Sequence, residues 1–136
     1  MNYSPAFAKK FTDNLKKVNS ILGHTGVTTG EELHRFASHY FGNHYLGIFS
    51  EHDHMPPLPT NTFMVVNKPN NVHWISIMNL NGKLYDFDSY GRPMTRYKDF
   101  NTQHDLIPDH GAGSPDVGDC GLRTMAMMAS IFNVKL

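Results

Sequence analysis

The sequence predicts an α+β fold in which a small mixed sheet packs with N-terminal helices and with a buried helix that begins at a cysteine. Helical periodicity occurs near both ends of the chain, and the region between carries short runs of β-branched and aromatic residues. The 136-residue chain contains no internal repeat and no linker-like segment, so we expect a single domain over residues 1–136.

Two helices are predicted in the N-terminal third of the chain. Apolar residues recur at steps of three and four over about residues 5–22, and Gly23 ends the pattern. Thr29, followed three residues later by Glu32, forms a capping box that predicts a second helix to about residue 41. The predicted buried faces are Phe7, Phe11, Leu15, Val18 and Leu22 in the first helix, and Leu33, Phe36, Tyr40 and Phe41 in the second.

Three strands are predicted after the proline-rich segment MPPLPTN. They cover residues 62–67, 72–80 and 83–88, which are short and rich in β-branched and aromatic side chains. Asn81-Gly82 separates the last two runs and is the strongest type of short hairpin signal. These segments therefore predict a sheet that contains a two-residue hairpin.

The hairpin determines which side chains of the last two strands lie opposite each other. A two-residue turn sets Ile77 opposite Asp86 and puts His73 on the same face as Asp86 and Asp88. Asp88 is the diagonal neighbour of His73, at ~7–8 Å between backbones, whereas Asp86 is one pleat repeat farther away. We therefore expect His73 to pair with Asp88, although an ordinary surface pair would have the same register.

The single cysteine, Cys120, begins the predicted C-terminal helix over residues 119–132. The unpaired N–H groups and the positive dipole end of a helix N-terminus favour the thiolate over the thiol. Gly121 beside it would let a substrate backbone approach closely. With His73 and Asp88, Cys120 supplies the nucleophile, base and orienting acid that acyl transfer requires. The alternative is a small core cysteine that happens to begin a helix.

The composition excludes several classes of function. Twelve basic and twelve acidic side chains cancel, so we expect weak or absent DNA binding, since phosphate contacts need a basic surface. No apolar run reaches the ~20 residues of a membrane span, and the N-terminus lacks a signal-peptide pattern. The nine histidines lack His-Glu-x-x-His spacing and Cys-x-x-Cys partners, so no metal and no other cofactor is expected. A lone cysteine cannot form an internal disulfide, which indicates a reducing compartment.

Four segments, in one order, resemble the adenovirus protease (adenain) family of cysteine proteases, which shares a clan with the SUMO-specific proteases. VHWISI is similar to the family's His-Trp strand, YDFDSYG to its acidic strand, and SPDVGDCGLRT to its Ser-Pro and Cys-Gly helix start. Upstream, YLGIFSEHDHMP is similar to the family's Leu-Gly-aromatic segment that leads to a proline. The resemblance covers about residues 45–132, in the order His, acid, Cys.

The resemblance implies a His-Asp-Cys triad. Cys120 would be the nucleophile, His73 the general base and then the acid, and Asp88 the carboxylate that orients the imidazole. Trp74 would pack next to the histidine and, with Gly121, line a tunnel-like substrate cleft. Such a cleft suits the family's preference for small residues, often glycine, beside the scissile bond.

The expected oxyanion hole departs from the family pattern. Adenoviral enzymes have a glutamine directly before Ser-Pro, whereas this chain has Gly113 there, and the SUMO-protease spacing gives Ser114. The candidate donors are the Ser114 hydroxyl, the distant Gln103, and backbone N–H groups of the loop before Cys120, which we favour because glycines let the loop turn. Asp119 directly precedes the cysteine and completes the residues expected around the oxyanion hole and substrate cleft.

The resemblance implies the function of a small viral cysteine endopeptidase that cleaves capsid or core precursor proteins during virion maturation. It would act as a monomer in the host cell interior and the virion, as a minimal version of the family with a short C-terminal region. Because its only thiol is needed for chemistry, a disulfide-linked activator is not expected. Two alternatives stay open, an isopeptidase that removes ubiquitin-like modifiers and a catalytically silent binding module with the same fold.

Overall fold

The structure of this protein is a computed structural model, and it describes residues 4–68, 73–90, 105–107 and 118–136. The described residues form three α-helices, one 3-10 turn and five β-strands, which confirms the predicted α+β class. In chain order the elements are α1 (Pro5–Leu22), α2 (Gly30–Phe41), the 3-10 turn (Gly42–His44), β1 (Tyr45–Ser50), β2 (Thr62–Lys68), β3 (His73–Leu80), β4 (Lys83–Phe87), β5 (Asp105–Ile107) and α3 (Cys120–Phe132). None of the described helices is both long enough and apolar enough to cross a membrane.

The strands form one mixed sheet in the order β1-β2-β3-β4-β5. β2, β3 and β4 are antiparallel and correspond to the three predicted strands, while β1 and β5 join the two edges in parallel. The sequence analysis predicts neither edge strand, although the β1 run YLGIFS contains aromatic and aliphatic residues; β5 has only three residues. A strand as short as β5 carries no periodic pattern and is defined only by its pairing with β4.

The helix boundaries follow from caps that the sequence provides. Gly23 ends α1 in the left-handed conformation, at φ +78°, and its N–H donates to the Asn19 carbonyl. The Thr29 hydroxyl accepts a hydrogen bond from Glu32 N at 3.1 Å, as the capping box predicts. The Glu32 carboxylate pairs with His24 Nε2 at 2.9 and 3.0 Å, and this contact ties α2 to the segment that follows α1.

Side chains of β3 alternate between two apolar clusters, one on each face of the sheet. Trp74 and Met78 join the larger cluster, in which all three helices bury their apolar faces against the sheet. Ile75 and Ile77 join a smaller cluster on the other face. The smaller cluster also contains Met55, Leu58, Met64 and Val66.

The buried helix of the fold is α3. Its three methionines, Met125, Met127 and Met128, are fully buried, as expected of core residues. α1 packs along α3, and α3 packs on β3. Because α3 begins at Cys120, this packing brings the cysteine to the end of β3 at which His73 lies.

Candidate catalytic site

The side chains of His73 and Asp88 lie in contact at the end of the sheet. Strands β3 and β4 pair Ile77 with Asp86, as the two-residue turn predicts. His73 is the first residue of β3, Asp88 directly follows β4, and Nε2 of the imidazole lies 2.6 Å from Oδ1 of the carboxylate. Both side chains are completely buried. The pair is therefore a desolvated hydrogen bond and not an exposed surface contact.

Nε2 is the one imidazole nitrogen of His73 that makes a hydrogen bond of standard geometry with the described residues, and Nδ1 makes none. Burial favours the neutral ring, but hydrogen bonding and charge interaction with Asp88, and with Cys120 beside it, favour the imidazolium and raise the pKa of His73 above its usual value. Asp88 and Cys120 therefore both stabilise a protonated His73.

Cys120 lies at the first position of α3, and its sulfur accepts a hydrogen bond from β3. The backbone N–H of Trp74 donates to Sγ at 3.4 Å. The Thr124 hydroxyl, one turn along α3, donates to the Cys120 carbonyl at 2.8 Å and lies 3.5 Å from the Trp74 carbonyl. The residue after His73 thereby holds the thiol beside the imidazole. Cys120 is a free cysteine and is 3% exposed.

Tyr90 is a site residue that the sequence analysis does not identify. Its ring stacks on the His73 imidazole, with centroids 3.9 Å apart and planes inclined by 15°. Its backbone N–H donates to Asp88 Oδ1 at 2.8 Å, the same oxygen that binds Nε2. The strand register could have identified Tyr90 from the sequence, because continuing the β3–β4 pairing past Phe87 puts Tyr90 opposite His73. The stacked ring restricts rotation of the imidazole and favours its cationic form.

Among the described residues, Trp74 and Gly121 do not line an open cleft, so that expectation is corrected. The Trp74 side chain is 5% exposed, and its Nε1 donates to the Thr28 carbonyl at 3.1 Å. A Cβ on Gly121 would lie 1.9 Å from Thr28 Oγ1, so Thr28 occupies the space beside this glycine. Trp74 is therefore a packing residue, and Gly121 allows close packing of α3 on the segment between α1 and α2.

The residues expected around the oxyanion hole are only partly described. Asp119 is 8% exposed, and its Oδ2 accepts a hydrogen bond from Arg123 Nε at 3.0 Å. In the described part of the chain, the Asp119 side chain makes no capping hydrogen bond to α3. Gly113, Ser114 and Gln103 lie outside the described residues, so the identity of the oxyanion donors stays a prediction.

Comparisons with known proteins do not assign this site. The chain matches no protein-family model, no curated protein and no solved structure. Its chemistry is inferred from its geometry, in which a carboxylate holds a buried imidazole and a thiol lies beside it at a helix N-terminus. This combination provides a nucleophile, a proton carrier and an orienting group within one desolvated cluster.

Proposed function

We propose that this protein is a cysteine peptidase that uses Cys120 as nucleophile, His73 as proton carrier and Asp88 as the group that orients the imidazole. The observation that carries the proposal is the 2.6 Å contact between His73 Nε2 and Asp88 Oδ1. With that nitrogen engaged, Nδ1 is the imidazole nitrogen left to exchange a proton with the neighbouring thiol. The raised pKa of His73 supports its role as the group that accepts a proton during the reaction.

In the proposed reaction, Cys120 gives its thiol proton to His73 Nδ1. Its sulfur attacks the carbonyl carbon of a peptide bond, and the π electrons of the carbonyl move to its oxygen. His73 gives the Nδ1 proton to the leaving amine as the C–N bond breaks, which leaves a thioester on the enzyme. Neutral His73 then takes a proton from water, whose oxygen attacks the thioester. The C–S bond breaks, the acid product leaves, and the Cys120 sulfur takes the proton back from His73. Asp88 keeps the imidazole in one orientation throughout.

The first turn of α3 supports stabilisation of the oxyanion. The first N–H groups of a helix have no intrahelical partner, and the helix dipole is positive there. The Asp119 side chain, at the cap position, bonds to Arg123 and leaves these N–H groups uncapped within the described residues. The Cys120 N–H is therefore our preferred donor among the described residues, joined by a backbone N–H of the 113–119 loop.

The substrate class rests on the resemblance to the adenovirus protease family. The resemblance supports cleavage of viral capsid or core precursors, inside the host cell and the virion, at sites with small residues beside the scissile bond. The same triad also hydrolyses the isopeptide bond to a ubiquitin-like modifier. A capsid-type precursor and a ubiquitin-like fusion protein compared in one assay separate the two, because faster cleavage of the fusion protein would favour the isopeptidase.

A second candidate function, a catalytically silent binding module, is favoured by one observation. Cys120 is 3% exposed and the side chains of His73 and Asp88 are completely buried. A substrate therefore reaches Sγ only through a local opening of the structure. Without such an opening, the three residues form a buried polar cluster inside a binding protein.

Labelling with a thiol-directed peptide probe separates the peptidase from the silent module. We expect the wild-type protein to react at Cys120 and Cys120→Ala not to react. Both Cys120→Ala and His73→Ala should lower peptide cleavage by at least ~10³-fold, because members of a catalytic unit fail together. Ser130→Ala, at the other end of α3, is the matched control and should react like the wild type.

Two results would contradict the peptidase proposal. One is peptide cleavage retained by Cys120→Ala whose circular dichroism matches that of the wild type. The other is a wild-type protein that neither cleaves peptides nor reacts with the probe, which would favour the silent binding module.

A further inference from the structure

We propose that the hydroxyl of Thr28 donates a hydrogen bond to the oxyanion that forms when Cys120 attacks a substrate carbonyl, an inference that rests on the proposed peptidase function. Thr28 lies in the segment between α1 and α2 and is 3% exposed. Its Oγ1 makes no hydrogen bond with the described residues. A buried hydroxyl without a partner is unfavourable for stability, and a role in the reaction would explain its presence here.

The Thr28 hydroxyl lies against the first turn of α3. A Cβ on Gly121 would lie 1.9 Å from Thr28 Oγ1, so this oxygen is in direct contact with the residue that follows Cys120. The Cα–Cβ bonds of a helix tilt toward its N-terminus, so Oγ1 lies on the N-terminal side of Gly121. The N–H groups at this end of a helix have no intrahelical acceptor and form the positive end of its dipole. Thr28 Oγ1 therefore adds a side-chain donor to a helix end that already favours negative charge.

Trp74 fixes Thr28 relative to the nucleophile. Its backbone N–H donates to Cys120 Sγ at 3.4 Å, and its side-chain Nε1 donates to the Thr28 carbonyl at 3.1 Å. One residue of β3 therefore contacts both the thiol and the backbone of Thr28. Because Trp74 and Thr28 are both buried, the hydroxyl is positioned before the reaction begins. A donor that is fixed in advance needs little reorganisation in the transition state.

The oxyanion supplies the acceptor that Thr28 Oγ1 lacks. When Sγ bonds to the carbonyl carbon, negative charge develops on the substrate oxygen, to which the Cys120 N–H is the preferred backbone donor. The inference places that oxygen between the Cys120 N–H and Thr28 Oγ1. A threonine hydroxyl donates one hydrogen and turns to suit its acceptor. Thr28 therefore completes the oxyanion hole from a segment far from Cys120 in the sequence.

Thr28→Val tests the inference, because valine has nearly the same shape as threonine but no hydroxyl. We expect kcat for one fluorogenic peptide to fall about 10²-fold, as is typical for loss of one oxyanion donor. KM should change little, since the interaction is made only in the transition state. Thr28→Ser keeps the hydroxyl and should retain kcat within about fivefold of the wild type, because the donor is still present.

Alkylation by iodoacetamide separates an oxyanion donor from a residue that only positions the thiol. Displacement of iodide by Cys120 Sγ forms no oxyanion, so the alkylation rate should be within about twofold of the wild type in Thr28→Val and Thr28→Ser. Cys120 is the single cysteine of the chain, so mass spectrometry of the alkylated protein reports on this thiol alone. A thiol displaced by the substitution would instead be alkylated at a different rate.

Thr62→Val is the matched control. Thr62 is also buried, but its hydroxyl donates to the Pro59 carbonyl at 2.6 Å, and it lies at the end of β2 opposite Lys68, the residue that pairs with His73. Thr62→Val should unfold at a lower urea concentration and keep the wild-type kcat, because it breaks a hydrogen bond far from the site. Thr28→Val should be at least as stable as the wild type, because its hydroxyl has no bond to lose.

The failure of this inference differs from the failure of the proposed function. If the wild-type protein cleaves the peptide and Thr28→Val keeps kcat within about threefold, Thr28 is not an oxyanion donor and only the inference is overturned. The same conclusion follows if the alkylation rate falls as much as kcat, or if Thr28→Ser loses as much activity as Thr28→Val. If the wild-type protein cleaves no peptide and Cys120 does not react with a peptide probe, the peptidase proposal is overturned and the inference with it.

Discussion

The two ends of α3 differ in how completely their buried polar groups are hydrogen-bonded, and at the C-terminal end these groups are paired. The buried Asn14 amide donates to Ser130 Oγ at 2.9 Å, and the Ser130 hydroxyl donates to the Ala126 carbonyl at 2.8 Å. Asn133 then ends the helix in the left-handed conformation, with a cap N–H donating to the Ala129 carbonyl. These satisfied hydrogen bonds hold α3 against α1 and contribute to the stability of the fold.

The N-terminal end of α3 contains buried polar atoms without partners. Within the described parts of the chain, Thr28 Oγ1 and Asp119 Oδ1 make no hydrogen bond, and His73 Nδ1 makes none of standard geometry. An unsatisfied buried polar atom costs about 1–3 kcal/mol, so incomplete hydrogen bonding around one helix end is unfavourable for stability. Incompletely hydrogen-bonded polar atoms that lower local stability are typical of functional sites. The contrast supports a structural role for the C-terminal end and the proposed chemistry for the N-terminal end.

The largest effect on activity is expected from Asp88→Asn, in the cluster of polar residues beside the N-terminal end of α3. An amide cannot stabilise the imidazolium as a carboxylate does, and a comparable substitution in a serine protease triad costs about 10⁴-fold in turnover. Because Asp88 raises the pKa of His73, that pKa should fall in the variant, and the alkaline limb of the rate profile should move to lower pH. The measurement is kcat/KM for one peptide at pH values on both sides of ~6.5, the usual pKa of histidine.

Asp86→Asn is the matched control for this prediction. Asp86 is 1% exposed, lies opposite Ile77 on β3, and should affect kcat/KM less than tenfold because it is farther from His73 along the strand. An equal loss of kcat/KM in Asp88→Asn and Asp86→Asn would show that the strand register does not identify Asp88 as the partner of His73.

The same His73–Asp88 pair should also make stability depend on pH. The pKa of His73 is higher in the folded protein than its ordinary value, so the folded state binds more protons between the two values. The contribution of the pair to stability is therefore fully present below ~6.5 and is lost as the pH rises through the raised pKa. Urea unfolding at several pH values across this range should show that the unfolding free energy of the wild type declines as the pH rises, and that the decline is smaller for Asp88→Asn. A wild-type unfolding free energy that rises with pH across the same range would contradict the raised pKa of His73.

A smaller effect is expected from Gly121→Ala, and it concerns stability. The new Cβ would lie 1.9 Å from Thr28 Oγ1, so the variant should lose about 3 kcal/mol of unfolding free energy, in the upper range for overpacking. Adding Thr28→Ala should recover part of this loss, because it removes the atom in closest contact. Urea unfolding of the single and double variants measures both effects. A Gly121→Ala protein as stable as the wild type would mean that the space beside Gly121 is open to a substrate after all.

Beside the C-terminal end of α3, Asn14→Ala should lower the stability of the protein without changing the reactivity of Cys120. The variant removes the donor to Ser130 Oγ and should lose about 1–2 kcal/mol of unfolding free energy. Ser20→Ala, at an exposed position of α1, is the control and should differ from the wild type by less than about 0.5 kcal/mol. Reaction of Cys120 with a peptide probe should be the same in both variants. Slower reaction in Asn14→Ala would show that the two ends of α3 are not independent.

The smallest effect is expected from the residue stacked on the imidazole. Tyr90→Phe keeps an aromatic face on His73 and should leave kcat/KM within about twofold of the wild type. Tyr90→Leu removes the interaction of the ring with the imidazolium and should lower kcat/KM by about three- to tenfold. Steady-state assays of the two variants with one peptide make the comparison. A Tyr90→Leu protein with unchanged kcat/KM would remove the stacked ring from the proposed mechanism.

The sequence predicted much of the fold but only part of the site. The hairpin at Asn81-Gly82 was predictable because turn chemistry and a period of two act over a few residues, and its register brings His73 to Asp88. Tyr90 follows from the same register, extended beyond the end of β4. The short strand β5 was not predictable, since its three residues have no pattern apart from their pairing with β4.

By itself, the sequence determined the helices, the three central strands and the pairing of His73 with Asp88, because caps, turns and apolar periodicity act between neighbours in the chain. Only the tertiary structure decided how α3 packs on β3, which sets Cys120 Sγ on the Trp74 N–H beside the imidazole. It also decided that Thr28 fills the space beside Gly121. These contacts join residues far apart in the chain, and they depend on how whole helix and sheet faces pack, which no local pattern in the sequence records.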